Sequence, residues 1–359
     1  MSETIQAGST TAPKHFNRLT ATYTALAKEV RSQELLGRTR WFYALVFSAL
    51  VLALGGAATG LVLLGDSWLQ LLIAAALGVV FTQFAFLGHE ASHRQILSSG
   101  PANDRIGRVL STVFVGISYS WWMNKHTRHH ANPNKLGKDP DIERDTFSFH
   151  PEDADNRTGL GGWFVRRQGW FFFPLLLLEG VNLHLKSFTD LTTRKKVKGR
   201  WAELAMIAGR FAVYLALVFW LLPLGMAFAF LGVQLAVFGL YMGASFAPNH
   251  VAMPIVPKDM KLDFFSKQVL TSRNITGGWW ATLFMGGLNY QIEHHLFPSM
   301  PRLHLHRTRK LVRAQCRELD VTYTETSLAR AWGIVVSYLN RVGLSAASFR
   351  CPVAGELGR

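Results

Sequence analysis

The chain has 359 residues, of which 17% are charged and 12% aromatic, and its mean hydropathy is +0.15. An ordinary soluble domain carries about 25% charged residues, so composition excludes two soluble domains, which length alone would allow, and favours one integrated membrane domain. The net charge of +15 is segregated: six Lys/Arg lie in residues 1–40, fourteen in 124–202 and fourteen in 251–359, and the turns near Asp66 and Pro223 carry none. That is the asymmetry of basic cytosolic loops between membrane spans, and it argues against a nucleic-acid partner.

Residues 1–40 are polar, without a short apolar core and cleavage site, and read as a cytosolic N-terminal segment rather than a signal peptide. Residues 41–64 form the first apolar run, in which Gly56 and Gly60 have the spacing of a close helix–helix contact. The second run, 67–87, returns from a turn at Gly65-Asp66 and ends at Gly88-His89. Residues 109–123 are apolar but too short to span, and predict an interfacial or re-entrant helix ending in Trp121-Trp122. Residues 131–162, with Pro133, Pro140, Pro151 and many Asp/Asn, predict loop, and 169–185 a further short apolar segment. A second spanning pair, 203–222 and 226–247, turns around Pro223-Leu-Gly225. The expected architecture is therefore an all-α integral membrane protein: four transmembrane helices in two hairpins, both termini cytosolic, under a cytosolic helical cap. The membrane domain is expected over 41–320, followed by a cytosolic C-terminal segment, 321–359.

The sequons Asn156-Arg-Thr158 and Asn274-Ile-Thr276 fall in predicted cytosolic segments and are expected to stay unmodified. The two cysteines, Cys316 and Cys351, form no Cys-x-x-Cys pair, which excludes a zinc ribbon or an iron–sulfur cluster within the chain.

Seven histidines form three groups where apolar runs give way to polar sequence: His89/His93, His126/His129/His130 and His294/His295. Spacings of three and four place each of the first two groups on one face of a helix. Imidazole is a good ligand for iron, zinc and copper, and seven candidates are more than one ion requires. Haem needs one or two axial ligands within the bilayer, so adjacent pairs are redundant for it. A metal transporter would place polar residues at the midplane of its spans. Zinc hydrolysis is set aside on the expectation that the first group forms no H-E-x-x-H site. Iron with dioxygen suits an all-imidazole site with open positions.

The segments Gly88-His-Glu-Ala-Ser-His93, His126-Thr-Arg-His-His130 and Gln291-Ile-Glu-His-His295 resemble the three histidine boxes of the membrane fatty acid desaturases. Gly137-Lys-Asp-Pro-Asp141 after Asn132, and His295-Leu-Phe-Pro-Ser-Met-Pro-Arg302, resemble flanking sequence of that family, and the likeness runs from about residue 40 to 320. It implies two non-haem iron ions and O2, with His89, His93, His126, His129, His130, His294 and His295 as ligands. His250, with Asn249 beside it, is the natural further ligand near the last span. Gln291 stands where many relatives carry histidine, and His184 is a candidate to turn inward. Asp139, Asp141 and Glu293 are candidates to orient the ligand rings, whereas His15, His150, His304 and His306 have little claim. The implied reaction inserts a cis double bond into an acyl chain, carried as acyl-CoA or in a membrane lipid. The Gln-led third box resembles the front-end type; the rival oxidation is a hydroxylase- or ketolase-type oxygenation. No fused cytochrome b5 signature is read, so the electrons are expected from a separate ferredoxin, cytochrome b5 or reductase. The basic run Arg194–Arg200 is read first as a lipid-headgroup anchor and second as a dock for an acidic donor or CoA phosphate. The membrane is the plasma membrane in a bacterium, or the endoplasmic reticulum in a eukaryote.

Overall fold

The computed structural model describes residues 12–348; Cys351 and the outer ends of both terminal segments lie outside the described residues. Helix follows nearly every apolar run. In chain order the elements are α1 (Ala12–Ser32), α2 (Arg40–Leu63), α3 (Gln70–Ser92), α4 (Gly100–Val109), α5 (Tyr119–Ala131), α6 (Pro151–Asp155), α7 (Gly159–Val165), α8 (Gln168–Thr193), α9 (Arg200–Leu221) and α10 (Leu224–His250). Then come α11 (Phe264–Leu270), β1 (Asn274–Thr276), α12 (Gly278–Phe284), α13 (Gln291–Leu296), α14 (Arg302–Glu318), β2 (Glu325–Ser327) and α15 (Leu328–Ser348). The strands β1 and β2 pair in parallel, Asn274 opposite Glu325.

Four helices, α2, α3, α9 and α10, are long and apolar enough to cross a membrane. Their burial differs by role. In α2 and α9 only 11% of the apolar window is buried, and Leu52, Leu63 and Trp220 face outward, as lipid-exposed side chains do. The inner pair, α3 and α10, pack on one another around Phe84, Phe230 and Phe238. The α2–α3 turn is closed by Gln70, whose Nε2 donates to the carbonyls of Leu61 (2.8 Å) and Gly65 (2.9 Å). Of the two glycines spaced for close packing, Gly60 is the one that faces α3: a Cβ there would lie 2.9 Å from Ile73 Cδ1, whereas Gly56 has open space.

The segment expected as one short helix over 109–123 is divided. A π-helical stretch, Leu110–Val115, ends at Gly116 in the left-handed conformation (φ +94°), and α5 restarts at Ser118, whose Oγ caps the Trp121 N–H at 3.0 Å. Within the predicted 131–162 loop lie the short helices α6 and the start of α7. The apolar segment at 169–185 is the greater part of the 26-residue α8, which runs on through a mostly polar stretch to Thr193, where Lys186 pairs with Asp145 (3.0 Å) and Asp190 with Arg194 (3.3 Å). It runs tightly against α10: a Cβ at Gly239 would lie 2.6 Å from the Leu176 carbonyl oxygen. The C-terminal α15 covers α8 and α10, tied by Trp332 Nε1 to the Ala244 carbonyl (2.9 Å) and by Gln168 Nε2 to the Leu339 carbonyl (2.9 Å).

Candidate metal centre

Four elements end at one place. The last turn of α3 presents His89, and His93 follows as its C-cap. The second half of α5 presents His126, His129 and His130; α10 ends on His250; and α13 carries Gln291, His294 and His295. Their nitrogens sort into two adjoining groups. His89, His93, His126, His130 and His294 place five ligand atoms within 4.8 Å of one another, and His129, His250 and His295 place three within the same limit. Sequence neighbours are therefore divided: His129 and His130 face different groups, as do His294 and His295. The groups touch where the rings of His130 and His295 stack, 4.1 Å apart and 8° from parallel.

The spacing fits metal coordination. Two imidazole nitrogens each about 2.1 Å from a shared ion lie roughly 3–4 Å apart, depending on the angle between them. His89 Nε2 lies 3.0 Å from His126 Nε2 and His129 Nε2 3.3 Å from His250 Nε2, both in that range, whereas His93 Nε2, 2.7 Å from His126 Nε2, stands slightly closer than two ligands of one ion. Both ring nitrogens of His130, and Nε2 of His294 and His295, are buried without a hydrogen-bond partner. Buried polar atoms are normally satisfied, and ions between these rings would satisfy them.

The other ring nitrogens are fixed from outside. His129 Nδ1 donates to Asp139 (3.0 Å) and lies 3.3 Å from Asp141; His250 Nδ1 donates to the Thr271 carbonyl (2.9 Å); His295 Nδ1 donates to Gln268 Oε1 (2.9 Å). Each bond selects the tautomer that leaves Nε2 as a lone-pair donor facing its group. Burial pushes the His93 imidazole down to about 3 and drives His126, His130, His294 and His295 well below the usual histidine range, keeping them neutral and able to ligate. For His129 burial acts in the same downward direction, but the carboxylates of Asp141 and Asp139 outweigh it and raise the ring's pKa.

Asn249 and Gln291 sit with the three-histidine group. Gln291 Nε2 lies 2.9 Å from His250 Nε2, and Asn249 Nδ2 donates to Gln291 Oε1 at 3.2 Å, so Asn249 orients the Gln291 amide. His184 is not brought to either group. Its Nδ1 donates to the Gly180 carbonyl one turn back at 2.6 Å, and its Nε2 lies 3.3 Å from the Val115 carbonyl at the open end of the π-helical stretch, so the ring is held away from both groups. His150 pairs with Glu152 at 3.0 Å, and His304 and His306 lie on α14.

One expectation about the first group needs correction. His89-Glu-Ala-Ser-His93 does have the H-E-x-x-H spacing. In that zinc-protease motif the glutamate is a general base. Here Glu90 Oε1 and Oε2 accept from Arg302 Nε (2.8 Å) and Nη2 (2.6 Å), and both side chains are buried. The carboxylate is committed to an ion pair and is not free to activate water.

Glu293, a candidate to orient a ligand ring, is instead bound to Asn274 and Tyr323, two supporting residues with no signal in the sequence. Glu293 is buried and held by Asn274 Nδ2 (2.7 Å) and the Tyr323 hydroxyl (2.8 Å), and burial raises its carboxyl to about 7. Asn274, the asparagine of one sequon, is thereby buried within this network.

Beside the groups lies a cavity of about 260 Å³. His126, His129, His250 and Gln291 form part of its wall, and Trp122, Phe172, Leu176, Phe246 and Tyr338 make much of the rest. One side is polar, with Glu179 and the Lys125–Asp141 ion pair (2.9 Å).

Apolar spanning-length helices here converge on two all-histidine groups that could each hold a metal ion, beside an apolar cavity suited to an apolar ligand. The comparisons with known proteins make this specific. The family model for fatty acid desaturase matches residues 66–327, and the chain belongs to that family. It is 28% identical over 337 residues to a Delta(8)-fatty-acid desaturase of Helianthus annuus, covering 88% of this chain and 71% of that protein. It is 29% identical over 295 residues to an acyl-lipid (9-3)-desaturase of Borago officinalis (78% and 65%). To the Delta(6)-fatty-acid desaturase fat-3 of Caenorhabditis elegans it is 31% identical over 263 residues (70% and 59%).

Proposed function

We propose that this desaturase inserts a cis double bond into a fatty acyl chain at a di-iron centre. One iron belongs to the group of His89, His93, His126, His130 and His294, the other to the group of His129, His250 and His295, with Gln291 beside the second. The observation that carries the reading is that both groups border one apolar cavity, through His126 on one side and His129 and His250 on the other. When bound, the iron pair supplies the oxidising power that takes one hydrogen from each of two neighbouring methylenes, using O2 and two external electrons and releasing water.

The chain's own residues do the rest. The apolar wall removes the substrate from water and holds a methylene pair against the histidine groups. Asp139, the Thr271 carbonyl and Gln268 keep three ligand rings in register, and Asn249 aims the Gln291 amide. The Gln-led third box, and relatives named as Delta(8), Delta(6) and acyl-lipid (9-3) desaturases, support a front-end position for the new bond. The substrate is an acyl-CoA or a lipid acyl group. Electrons come from a separate ferredoxin, cytochrome b5 or reductase.

The four apolar helices are read as two hairpins, α2–α3 and α9–α10, in a multi-pass protein with both termini and the histidine groups on the cytosolic side. Support comes from the basic residues flanking α2 and α9 and from the turns near Asp66 and Pro223, which lack them. The functional unit is taken as residues 41–320 together with α15, because Tyr338 of α15 lines the cavity.

The test is the fatty-acid profile, by gas chromatography–mass spectrometry, of a desaturase-free host carrying this chain or its His129→Ala variant, with an electron donor supplied. A new double bond in the parent that is missing from the variant is the expected result. A hydroxylated product would transfer the reading to an oxygenase, and no product with iron loading verified would overturn it.

A further inference from the structure

Three glycines zip α8 to α10, and one of them is different. At Gly180 an added Cβ would strike the Leu235 carbonyl oxygen, and at Gly239 it would strike the Gly180 amide nitrogen and lie 2.6 Å from the Leu176 carbonyl oxygen. Those two are fixed by backbone, which cannot yield. At Gly243, one turn after Gly239, the added Cβ would overlap Leu176 Cδ2 and lie 3.0 Å from its Cδ1 and 3.1 Å from its Cγ. There the three nearest atoms all belong to the branched end of one flexible side chain, that of Leu176, rather than to the backbone of α8.

A glycine inside a helix costs about 1 kcal/mol relative to alanine. Helix packing does not require that cost at 243 as it does at 180 and 239. The cavity does. Gly243 and Leu176 both line it, and Leu176 is almost fully buried, so the adjoining empty space into which its displaced end can move is the cavity. Gly243, Phe246, Ala247 and His250 follow at helical spacing on one face of α10, and all four line the cavity. Gly243 precedes His250 by two turns, which places it about 10 Å along the helix from that histidine.

We propose that Gly243 and Leu176 together set the bore of the acyl cavity beyond the metal centre, and with it the length of acyl chain the enzyme accepts. The proposal rests on the desaturase reading above. An alanine at 243 forces Leu176 into the bore and blocks the part of the chain that extends past that level, while a chain ending short of it is still turned over. An alanine at 176 widens the bore. In the double variant the new methyl at 243 finds the space that Leu176 has left.

The experiment is competition feeding of a graded series of acyl chains to the host expressing the full-length parent, Gly243→Ala, Leu176→Ala, Leu176→Phe or the Gly243→Ala/Leu176→Ala pair, with products read by gas chromatography–mass spectrometry and bound iron counted per chain. One methylene in a tight apolar pocket changes selectivity by roughly tenfold or more. Gly243→Ala is therefore expected to lower the long-to-short product ratio by about tenfold with iron unchanged. Leu176→Phe should do the same by another route, Leu176→Ala should raise the ratio, and the pair should return most of the way to the parent. An unchanged ratio in iron-loaded Gly243→Ala, or a uniform loss at all chain lengths that the second alanine does not relieve, overturns the proposal. If Gly243→Ala does not accumulate as folded protein, the two Leu176 variants decide: equal ratios in both overturn it. A parent that makes no double bond at all refutes the desaturase reading instead, which keeps the two failures distinct.

Discussion

The ion pair between Glu90 and Arg302 joins the first histidine group to the chain just after the third, and removing one partner should be felt at both. Arg302 Nε and Nη2 meet the two Glu90 oxygens at 2.8 and 2.6 Å, with the side chains 3% and 2% exposed. In Arg302→Ala the carboxylate keeps only the Tyr43 hydroxyl, at 3.4 Å. An orphaned charge of this kind costs about 3–5 kcal/mol. At about 2 °C per kcal/mol for a chain of this size, that is a fall of roughly 6–10 °C in apparent Tm. The assay is thermal unfolding of the iron-loaded protein in detergent, with iron per chain counted alongside, because Glu90 sits between His89 and His93. The pair Glu90→Leu/Arg302→Met should recover most of the loss, since a buried ion pair replaced by apolar groups of similar size is often nearly neutral. Tyr43 then still has Gln95 Oε1 as acceptor at 3.2 Å. An apparent Tm within about 2 °C of the parent for Arg302→Ala would refute the reasoning. A double variant as unstable as the single would refute it differently, by assigning the loss to the packing of Arg302 against Phe42, 5.7 Å away, rather than to the stranded carboxylate.

Other predictions follow from the division of the histidines. His250→Ala and His295→Ala should reduce bound iron from about two per chain toward one, because the five-histidine group stays intact; complete loss of iron in either would show that the groups do not bind separately. Asp139→Asn keeps the shape but removes the charge that orients His129, and should weaken metal retention by roughly 10–100-fold in a chelator competition. Acid should release the metal and destabilise the fold in one window. His93, His126, His130, His294 and His295 are held below their ordinary 6.5, His93 at about 3, and outnumber His129, whose raised pKa acts the other way, so between those values the unfolded chain binds more protons than the folded one. Stability should be full above about 6.5 and fall as the pH drops below it; a flat profile from 7 to 4 would contradict the burial of these rings. Tyr323→Phe removes the hydroxyl that donates to Glu293 and should cost about 1–3 kcal/mol, read as a lower apparent Tm with the double-bond position unchanged.

What could be read from the sequence was whatever repeats within one helix. The spacing of His89/His93 and of His126/His130 is a one-face signal, and each pair does reach one group. The spacing does not say which groups will be formed. His129 lies beside His130 in sequence but meets His250 and His295, because neighbouring residues on a helix point about 100° apart and the two rings of α5 reach different groups. His184 is equally able to turn inward by its sequence; what holds it elsewhere is its Nδ1 bond to the Gly180 carbonyl of its own helix, with the ring edge against the Val115 carbonyl. The H-E-x-x-H spelling of the first box shows the reverse problem, since only the distant Arg302 decides that its glutamate is no base. The length of α8 was obscured by the mostly polar end of the helix after residue 185, where Lys186 and Asp190 carry no apolar signal and are held by Asp145 and Arg194 instead.

The three-histidine group shows why its supports come from so many elements. His129, His250 and His295 must each keep Nε2 free, so each needs an acceptor at Nδ1, and one helix cannot supply three acceptors in three directions. Asp139 comes from the loop after α5, the Thr271 carbonyl from the end of α11 and Gln268 from within α11. Two of these three come from a seven-residue helix and its C-cap, which carry no ligand of their own. That short helix is fixed in turn by Asp263, which caps it at the Ser266 N–H (3.0 Å), and by Gln268 Nε2, which donates to the His130 carbonyl (3.0 Å). Gln268 therefore spends its oxygen on a ring of the three-histidine group and its nitrogen on the backbone of a residue from the five-histidine group. A change at Gln268 should consequently disturb both metal positions at once, whereas Asp139, which also accepts from the Asn134 and Asp141 N–H groups, touches His129 alone among the clustered histidines.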